Sequence, residues 1–182
     1  MAADANFTSE VVAHAKHHVT GIAARKLPEF MAVETDPEIL GLLIGLLERA
    51  VPRWDDAGAP EVDCKEVVRL IIGYARNATA REVRCAAIAA LGETTDESGR
   101  KALQDALSKD ADGDVRRMAA RSLCGLARDR AVYDILATAA ERDPDLRVRI
   151  EAVKAIHPSS CGEQRDLAGG LLLRLYRTER EA

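Results

Sequence analysis

Hydrophobic positions in this chain recur with a helical period, and the same pattern returns about every 33 residues. Val83, Val115 and Val148 each precede an Arg, and each is followed by Ala at +4, Ala or Ser at +7 and Leu or Ile at +8. Offsets of 4, 7 and 8 mark one face of an α-helix. The pattern therefore predicts three equivalent helices, each with one buried face.

A second helix is predicted before each of these, because the register continues upstream. Ile71, Leu103 and Leu136 each lie 12 residues before their Val. The intervening turns carry Asp110-Ala-Asp112 and Asp143-Pro-Asp145, whose side chains are suited to cap helices and bend the chain. The repeating unit is thus a helix pair, and we expect an all-α superhelix, a solenoid of about nine helices.

The flanks of the repeats are weaker copies of the same pattern. We predict a helix from Thr8 to about Arg25, an earlier second helix opened by Asp36-Pro37, and a terminal helix from Glu163 to about Thr178. Thr79-x-x-Glu82 has the form of a capping box at a helix start. The expected organisation is one continuous domain: degenerate helices and an insertion loop in 1–62, three helix pairs in 63–158, and a C-terminal helix in 159–182.

The unit Asp-x-Asp-x-x-Val-Arg-x-x-Ala-x-x-Ala-Leu resembles the HEAT repeat, especially the short bacterial HEAT-like type named after phycobilisome lyases. The resemblance covers about residues 64–156 and implies a right-handed solenoid that serves first as a binding scaffold. It also implies that turn Asp and +1 Arg residues link neighbouring units in a ladder. The matching residues are Arg84, Arg116, Arg149, Asp110 and Asp143. The first copy departs from the pattern, since Ala78 and Ala80 replace the Asp pair.

Enzymes that share this repeat have signatures that can be sought in the sequence. Deoxyhypusine hydroxylases carry His-Glu pairs for a di-iron centre, and this sequence has no His-Glu pair. It also has no Gly-x-Ser-x-Gly elbow, phosphate loop or dinucleotide fingerprint. We therefore expect no catalytic residue, no cofactor and no metal. A lyase-type or chaperone-like enzyme subunit that acts on a cofactor-bearing partner remains a third hypothesis.

Composition and charge narrow the classes of partner. Aromatic residues make up only 3% of the chain, too few for a row of stacking platforms for single-stranded nucleic acid. The net charge of −4 provides no global field to attract DNA or an anionic membrane. The longest apolar run, Ile39 to Leu47, is far shorter than a membrane span. The N-terminus lacks the features of a secretory signal, so we expect a cytoplasmic protein that does not bind membranes.

A candidate binding surface follows from the helical wheel, on which offsets −1, +2, +3, +6 and +9 from each Val point away from the core. Between Arg116 and Lys154 the sequence has nine basic and six acidic residues, although the whole chain is acidic. We predict that this concave surface binds an acidic protein or peptide. Its residues are Arg117, Met118, Arg121, Arg147, Ile150, Glu151 and Lys154. The alternatives are a nucleic-acid-binding module at the basic end of the groove and an inert solvated helix face.

Three further features carry open alternatives. Trp54, in the insertion loop, has two open interpretations. Its side chain either anchors an interface with a partner or folds down to cover a gap between helices. His14, His17 and His18 have a spacing that could clip a metal, but the wheel places them in solvent and no metal is expected. The apolar C-terminal helix either wraps back over the stack or marks self-association. Its apolar residues are Leu167, Leu171, Leu172, Leu173, Leu175 and Tyr176.

Overall fold

The structure, a computed structural model, describes residues 21–50, 64–158 and 161–181. Within these ranges the chain forms nine α-helices, one short 3₁₀ helix at Gly162–Gln164 and no β-strand. The α-helices are α1 (Gly21–Val33), α2 (Pro37–Ala50), α3 (Cys64–Asn77), α4 (Arg81–Gly92), α5 (Glu97–Lys109), α6 (Gly113–Ser122), α7 (Arg130–Arg142), α8 (Leu146–Ala155) and α9 (Arg165–Glu181). The prediction of an all-α fold with helix pairs of the solenoid type is confirmed.

The three predicted second helices are α4, α6 and α8, and each buries the face that the periodicity marked. Val83, Val115 and Val148 are at most 1% exposed. The residues at +4 and +8 are also buried, namely Ala87, Leu91, Ala119, Leu123, Ala152 and Ile156. Alanine at +4 keeps this face flat, so neighbouring helices can pack closely.

Contacts between Cα atoms divide the chain into two compact units, Met1–Gly99 and Arg100–Ala182. In the first unit, α1 packs against α2, and α4 packs against both α2 and α3. In the second unit, α8 packs against both α6 and α7, and α9 contacts the 3₁₀ helix. The contact of α2 with α4 thus corresponds to that of α6 with α8. Helix α2 therefore takes the place of an earlier second helix, as the sequence predicted.

Aspartates in the turns begin α6 and α8. Asp112 caps α6 and Asp145 caps α8, each by accepting a hydrogen bond of 2.8 Å from the backbone N–H two residues further on. Asp110 and Asp143 accept the N–H groups of these capping residues at 2.8 and 2.9 Å. Each turn therefore satisfies backbone donors that a helix start leaves unpaired, as the sequence predicted.

The start of α4 differs from the predicted capping box. Its N-cap residue is Ala80, in an extended conformation with φ −73° and ψ 125°, and no side chain caps the helix. Thr79 lies one residue too early to fill this position. The predicted capping box is therefore wrong, and α4 begins without the side-chain acceptor that α6 and α8 have.

Helix boundaries at the two flanks also differ from those predicted. Helix α1 continues through Pro28 to Val33 instead of ending near Arg25. Leu27 and Met31 are both buried, and their burial offsets the hydrogen bond that proline cannot donate. At the other end, the 3₁₀ helix includes Glu163, and the α-helix starts only after it. Within the described ranges, every helix is too short or too polar to span a bilayer.

Candidate functional site

The candidate interaction surface lies on the solvent side of α6 and α8, and we call it the α6–α8 face. It consists of Asp114, Arg117, Met118 and Arg121 from α6, and Arg147, Ile150, Glu151 and Lys154 from α8. All eight are exposed or half-buried. Burial of the opposite faces, through Val115 and Val148 among others, determines which side of these helices meets solvent.

One pair of residues at equivalent positions of α6 and α8 is in contact across the repeat. Asp114 and Arg147 both lie immediately before their Val, 33 residues apart, and Arg147 Nη1 donates to Asp114 Oδ1 at 3.0 Å. By the same correspondence, Arg117 matches Ile150 and Arg121 matches Lys154. The packing of α6 on α8 thus brings Arg147 to Asp114, and the seven residues that the sequence nominated lie on these two packed helices.

The charge of Arg147 is compensated within the protein. Its Nη2 donates to Asp145 Oδ2 at 2.8 Å, and its Nη1 reaches Asp114. Hydrogen bonds from the side chain and backbone N–H of Arg147 lower the pKa of Asp145 to about 2. The hydrogen bond with Asp145, followed by the charge of Asp114, raises the pKa of Arg147. Arg147 therefore helps to order the turn before α8 and adds little free positive charge.

The remaining cations of the face differ in how closely carboxylates approach them. Lys154 Nζ lies 3.3 Å from Glu151 Oε2, and Arg117 Nη2 lies 3.8 Å from an Asp114 carboxylate oxygen. Among the residues that the structure describes, no carboxylate pairs with Arg121. The sequence count of basic residues thus overstates the positive charge of this surface, and Arg121 is its most available cation.

Apolar contact area on the α6–α8 face comes mainly from Ile150. This side chain is 46% exposed, whereas Val148 on the same helix is completely buried. Met118 is half-buried on the neighbouring helix. The surface therefore combines a guanidinium group with exposed aliphatic carbon.

The ladder implied by the repeat is observed between Arg116 and Asp143. Arg116 Nε and Nη2 donate to the two oxygens of Asp143 at 2.8 and 2.9 Å, across successive repeats. A second, recurring contact was not predicted. The Nη1 atoms of Arg84, Arg116 and Arg149 each donate to the carbonyl oxygen six residues earlier, at 2.9 to 3.0 Å. The sequence signal for this contact was the constant spacing of six residues between each Arg and the turn residue whose carbonyl oxygen it binds.

A groove of about 580 Å³ lies in the first unit, and the sequence did not suggest it. Its walls come from α2, α3 and the start of α4, and the described residues that line it are uncharged. The hydroxyl of Tyr74 at this groove donates to the Met31 carbonyl oxygen at 2.9 Å, and burial raises the pKa of Tyr74. These groups can form hydrogen bonds and apolar contacts, but they provide no acid–base pair.

Other nominated residues lie outside the described ranges. These are Trp54 and the three histidines of the first predicted helix, His14, His17 and His18. Among the residues that are described, no group of three or more His, Cys, Asp or Glu side chains could hold a metal ion.

Helix pairs that recur every 32 or 33 residues, joined by an Arg–Asp pair, define this chain as an α-helical repeat protein. A family model of HEAT repeats matches residues 36–124 and 101–180, so the protein belongs to the HEAT-repeat family. This match does not distinguish the phycobilisome-lyase type. No curated protein and no solved structure matches the chain. HEAT repeats are commonly scaffolds for protein interactions.

Proposed function

We propose that this protein is an interaction scaffold that binds an acidic protein or peptide segment through the α6–α8 face. The observation that carries the proposal is the exposed guanidinium of Arg121, which no described carboxylate pairs, on a surface that also exposes Ile150. A guanidinium group binds a carboxylate through two parallel hydrogen bonds, and an adjacent aliphatic side chain adds apolar burial.

The neighbouring cations can also serve an acidic partner. Exposed ion pairs contribute only about 0–1 kcal/mol, so Arg117 and Lys154 lose little by exchanging their own carboxylates for those of a partner. Arg147 is less available to a partner than Arg117 and Lys154, because its guanidinium donates hydrogen bonds to Asp114 and Asp145 at 3.0 and 2.8 Å. Recognition should therefore depend most on Arg121 and Arg117, with Lys154 in support.

Nucleic-acid binding is less well supported by this surface. Asp114, Asp145 and Glu151 lie among its cations and would repel a closely spaced row of phosphates. A peptide with separated carboxylates can avoid those three groups. The distribution of charge thus favours a protein partner.

The proposal can be tested with a fluorescein-labelled synthetic peptide that alternates Glu and Leu, and a second peptide with Gln in place of Glu. Fluorescence anisotropy should show binding of the Glu peptide that weakens with salt, and much weaker binding of the Gln peptide. The variant Arg117→Glu/Arg121→Glu should weaken binding of the Glu peptide at least about tenfold.

Lys101→Glu/Arg142→Glu is the matched control, because it reverses two exposed cations on α5 and α7 and not on the α6–α8 face. Thermal unfolding checks that both variants fold. Equal loss of peptide binding in the two variants would show that only net charge matters and would contradict the proposal. A labelled 20-base-pair DNA duplex that binds better than the Glu peptide would favour the nucleic-acid alternative.

A further inference from the structure

Helix α9 buries one side and exposes large apolar side chains on the other. Ala168 and Leu171 are completely buried. Leu173 is 60% exposed and Tyr176 is 61% exposed. The C-terminal helix therefore does not bury its whole apolar surface against the described part of the chain, which leaves the other side as a candidate contact surface.

The exposed side of α9 has a defined composition, and we call it the α9 face. It consists of Asp166, Gly169, Gly170, Leu173, Tyr176 and Arg177, whose spacing of three and four residues places them along one side of a helix. The glycines form a depression in it. A Cβ atom on Gly169 would meet nothing within 4 Å, and one on Gly170 would meet only Arg174 Nη1, at 3.9 Å.

The order of residues on this face is self-complementary when the helix is paired with an antiparallel copy. A two-fold axis level with the midpoint of residues 171 and 172 places each Asp166 opposite Arg177 of the other copy. The same axis places Leu173 opposite Gly170, so a protruding side chain meets a depression. Both matches occur twice, once on each side of the axis.

We propose that the α9 face binds the same face of a second copy of this chain, with the two α9 helices antiparallel. Charge complementarity supports this occupant, because Asp166 and Arg177 have no ion-pair partner among the described residues. A parallel arrangement would place Asp166 against Asp166 and Leu173 against Leu173. Small residues at the crossing point also allow two helix backbones to approach closely.

The small area that two α9 helices can bury limits the stability of this dimer. Stable protein interfaces bury about 1,200–2,000 Å² in total, and a single pair of 17-residue helices lies at or below the lower end. The dimer should therefore be reversible and dissociate on dilution.

Sedimentation velocity of the full chain, from about 5 to 500 μM, tests the proposal. The parent protein should change from monomer to dimer with rising concentration. Leu173→Lys should remain monomeric. So should Gly169→Gln, whose Cβ would meet nothing within 4 Å in the chain and whose side chain would occupy the depression. Leu146→Lys is the matched control, since Leu146 is a similarly exposed leucine (54%) on α8, and it should dimerise like the parent.

A charge exchange tests the antiparallel arrangement. Asp166→Arg and Arg177→Asp should each be monomeric alone, because both ends of the pair then carry like charges. An equimolar mixture of the two should form a heterodimer, since opposite charges then meet at both ends.

Circular dichroism confirms that each variant folds. A parent chain that stays monomeric over the whole range would overturn the proposal. Dimerisation of Leu173→Lys or Gly169→Gln at the parental concentration would overturn it too. A mixture of the two charge variants that fails to associate would rule out the antiparallel arrangement.

Discussion

Arg116 and Asp143 form a part-buried, two-pronged ion pair that joins two successive repeats. Their hydrogen bonds measure 2.8 and 2.9 Å, and only 12% and 6% of the two side chains are exposed. The hydrogen bond to Asp143 raises the pKa of Arg116, although burial acts in the opposite direction. Arg116 also donates to the carbonyl oxygen of Asp110 at 2.9 Å. This arginine therefore holds both its own turn and the next one.

Removal of Arg116 should destabilise the fold, because it leaves the part-buried Asp143 carboxylate without its ion-pair partner. We expect Arg116→Met to lower the free energy of unfolding by about 1.5–3 kcal/mol, measured by urea denaturation. Arg130→Met breaks the exposed pair of Arg130 and Asp134 and should lower it by about 0–1 kcal/mol. If the two variants lost similar free energies of unfolding, the Arg116–Asp143 pair would stabilise the fold no more than an exposed pair does.

The start of α4 lacks a side-chain cap, and an aspartate at its N-cap position, as in α6 and α8, should supply one. Ala80 has nearly the same backbone conformation as Asp112 and Asp145. Ala80→Asp should therefore cap α4 and raise the free energy of unfolding by about 1 kcal/mol. Thr79→Asp places the same carboxylate one residue out of register and should have a much smaller effect. Thermal and urea unfolding of both variants measure the difference, and equal gains would contradict a capping role.

Two glycines should respond to alanine with opposite signs. A Cβ atom on Gly113 would lie 3.2 Å from Cγ of Asp145 and still closer to Oδ2, so alanine must displace the carboxylate that caps α8. Gly113→Ala should lower the free energy of unfolding by about 0.5–2 kcal/mol. Gly73→Ala lies within α3, where no atom approaches within 4 Å, and should raise it by about 0.5–1 kcal/mol. A gain in both variants would show that the Asp145 carboxylate moves aside freely.

The pH dependence of stability should include a contribution from Asp145. Its pKa is about 2 in the folded protein, against an ordinary value of 3.8, chiefly because of its hydrogen bonds with Arg147. A lowered pKa stabilises the fold above pH 3.8, and this contribution disappears as the pH falls through about 2. The stability difference between the parent and Asp145→Asn should therefore shrink between pH 4 and pH 2.

Urea denaturation at a series of pH values measures that difference. Glu163→Gln is the comparison, since Glu163 is an exposed carboxylate without an ion pair among the described residues. A constant difference between the parent and Asp145→Asn across this range would contradict the prediction.

Much of the fold could be predicted from short-range patterns. The caps at Asp112 and Asp145 depend on hydrogen bonds that span two residues, so the local sequence is sufficient. The buried faces follow from helical periodicity. The end of α1 could not be predicted in this way, because Pro28 favours a break and burial of Met31 against neighbouring elements overrides it.

The candidate site shows the same division. Its residues were identified by their offsets from each Val, but its electrostatics were not, because charges were counted along each helix and not between helices. The pairs of Arg147 with Asp114 and of Arg174 with Glu141 both join residues 33 residues apart. The repeat length itself was therefore the signal for these neighbours.

The sequence by itself determined the repeating helix pairs, their buried faces and the turns between them, since these depend on hydrophobic periodicity and hydrogen bonds over a few residues. Tertiary structure decided which charges remain available. Only the packing of α6 on α8 brings Asp114 to Arg147, while Arg121 stays unpaired among the described residues. Attraction between charges depends on their distance in space, and residues one repeat apart in sequence become neighbours only when the helices pack.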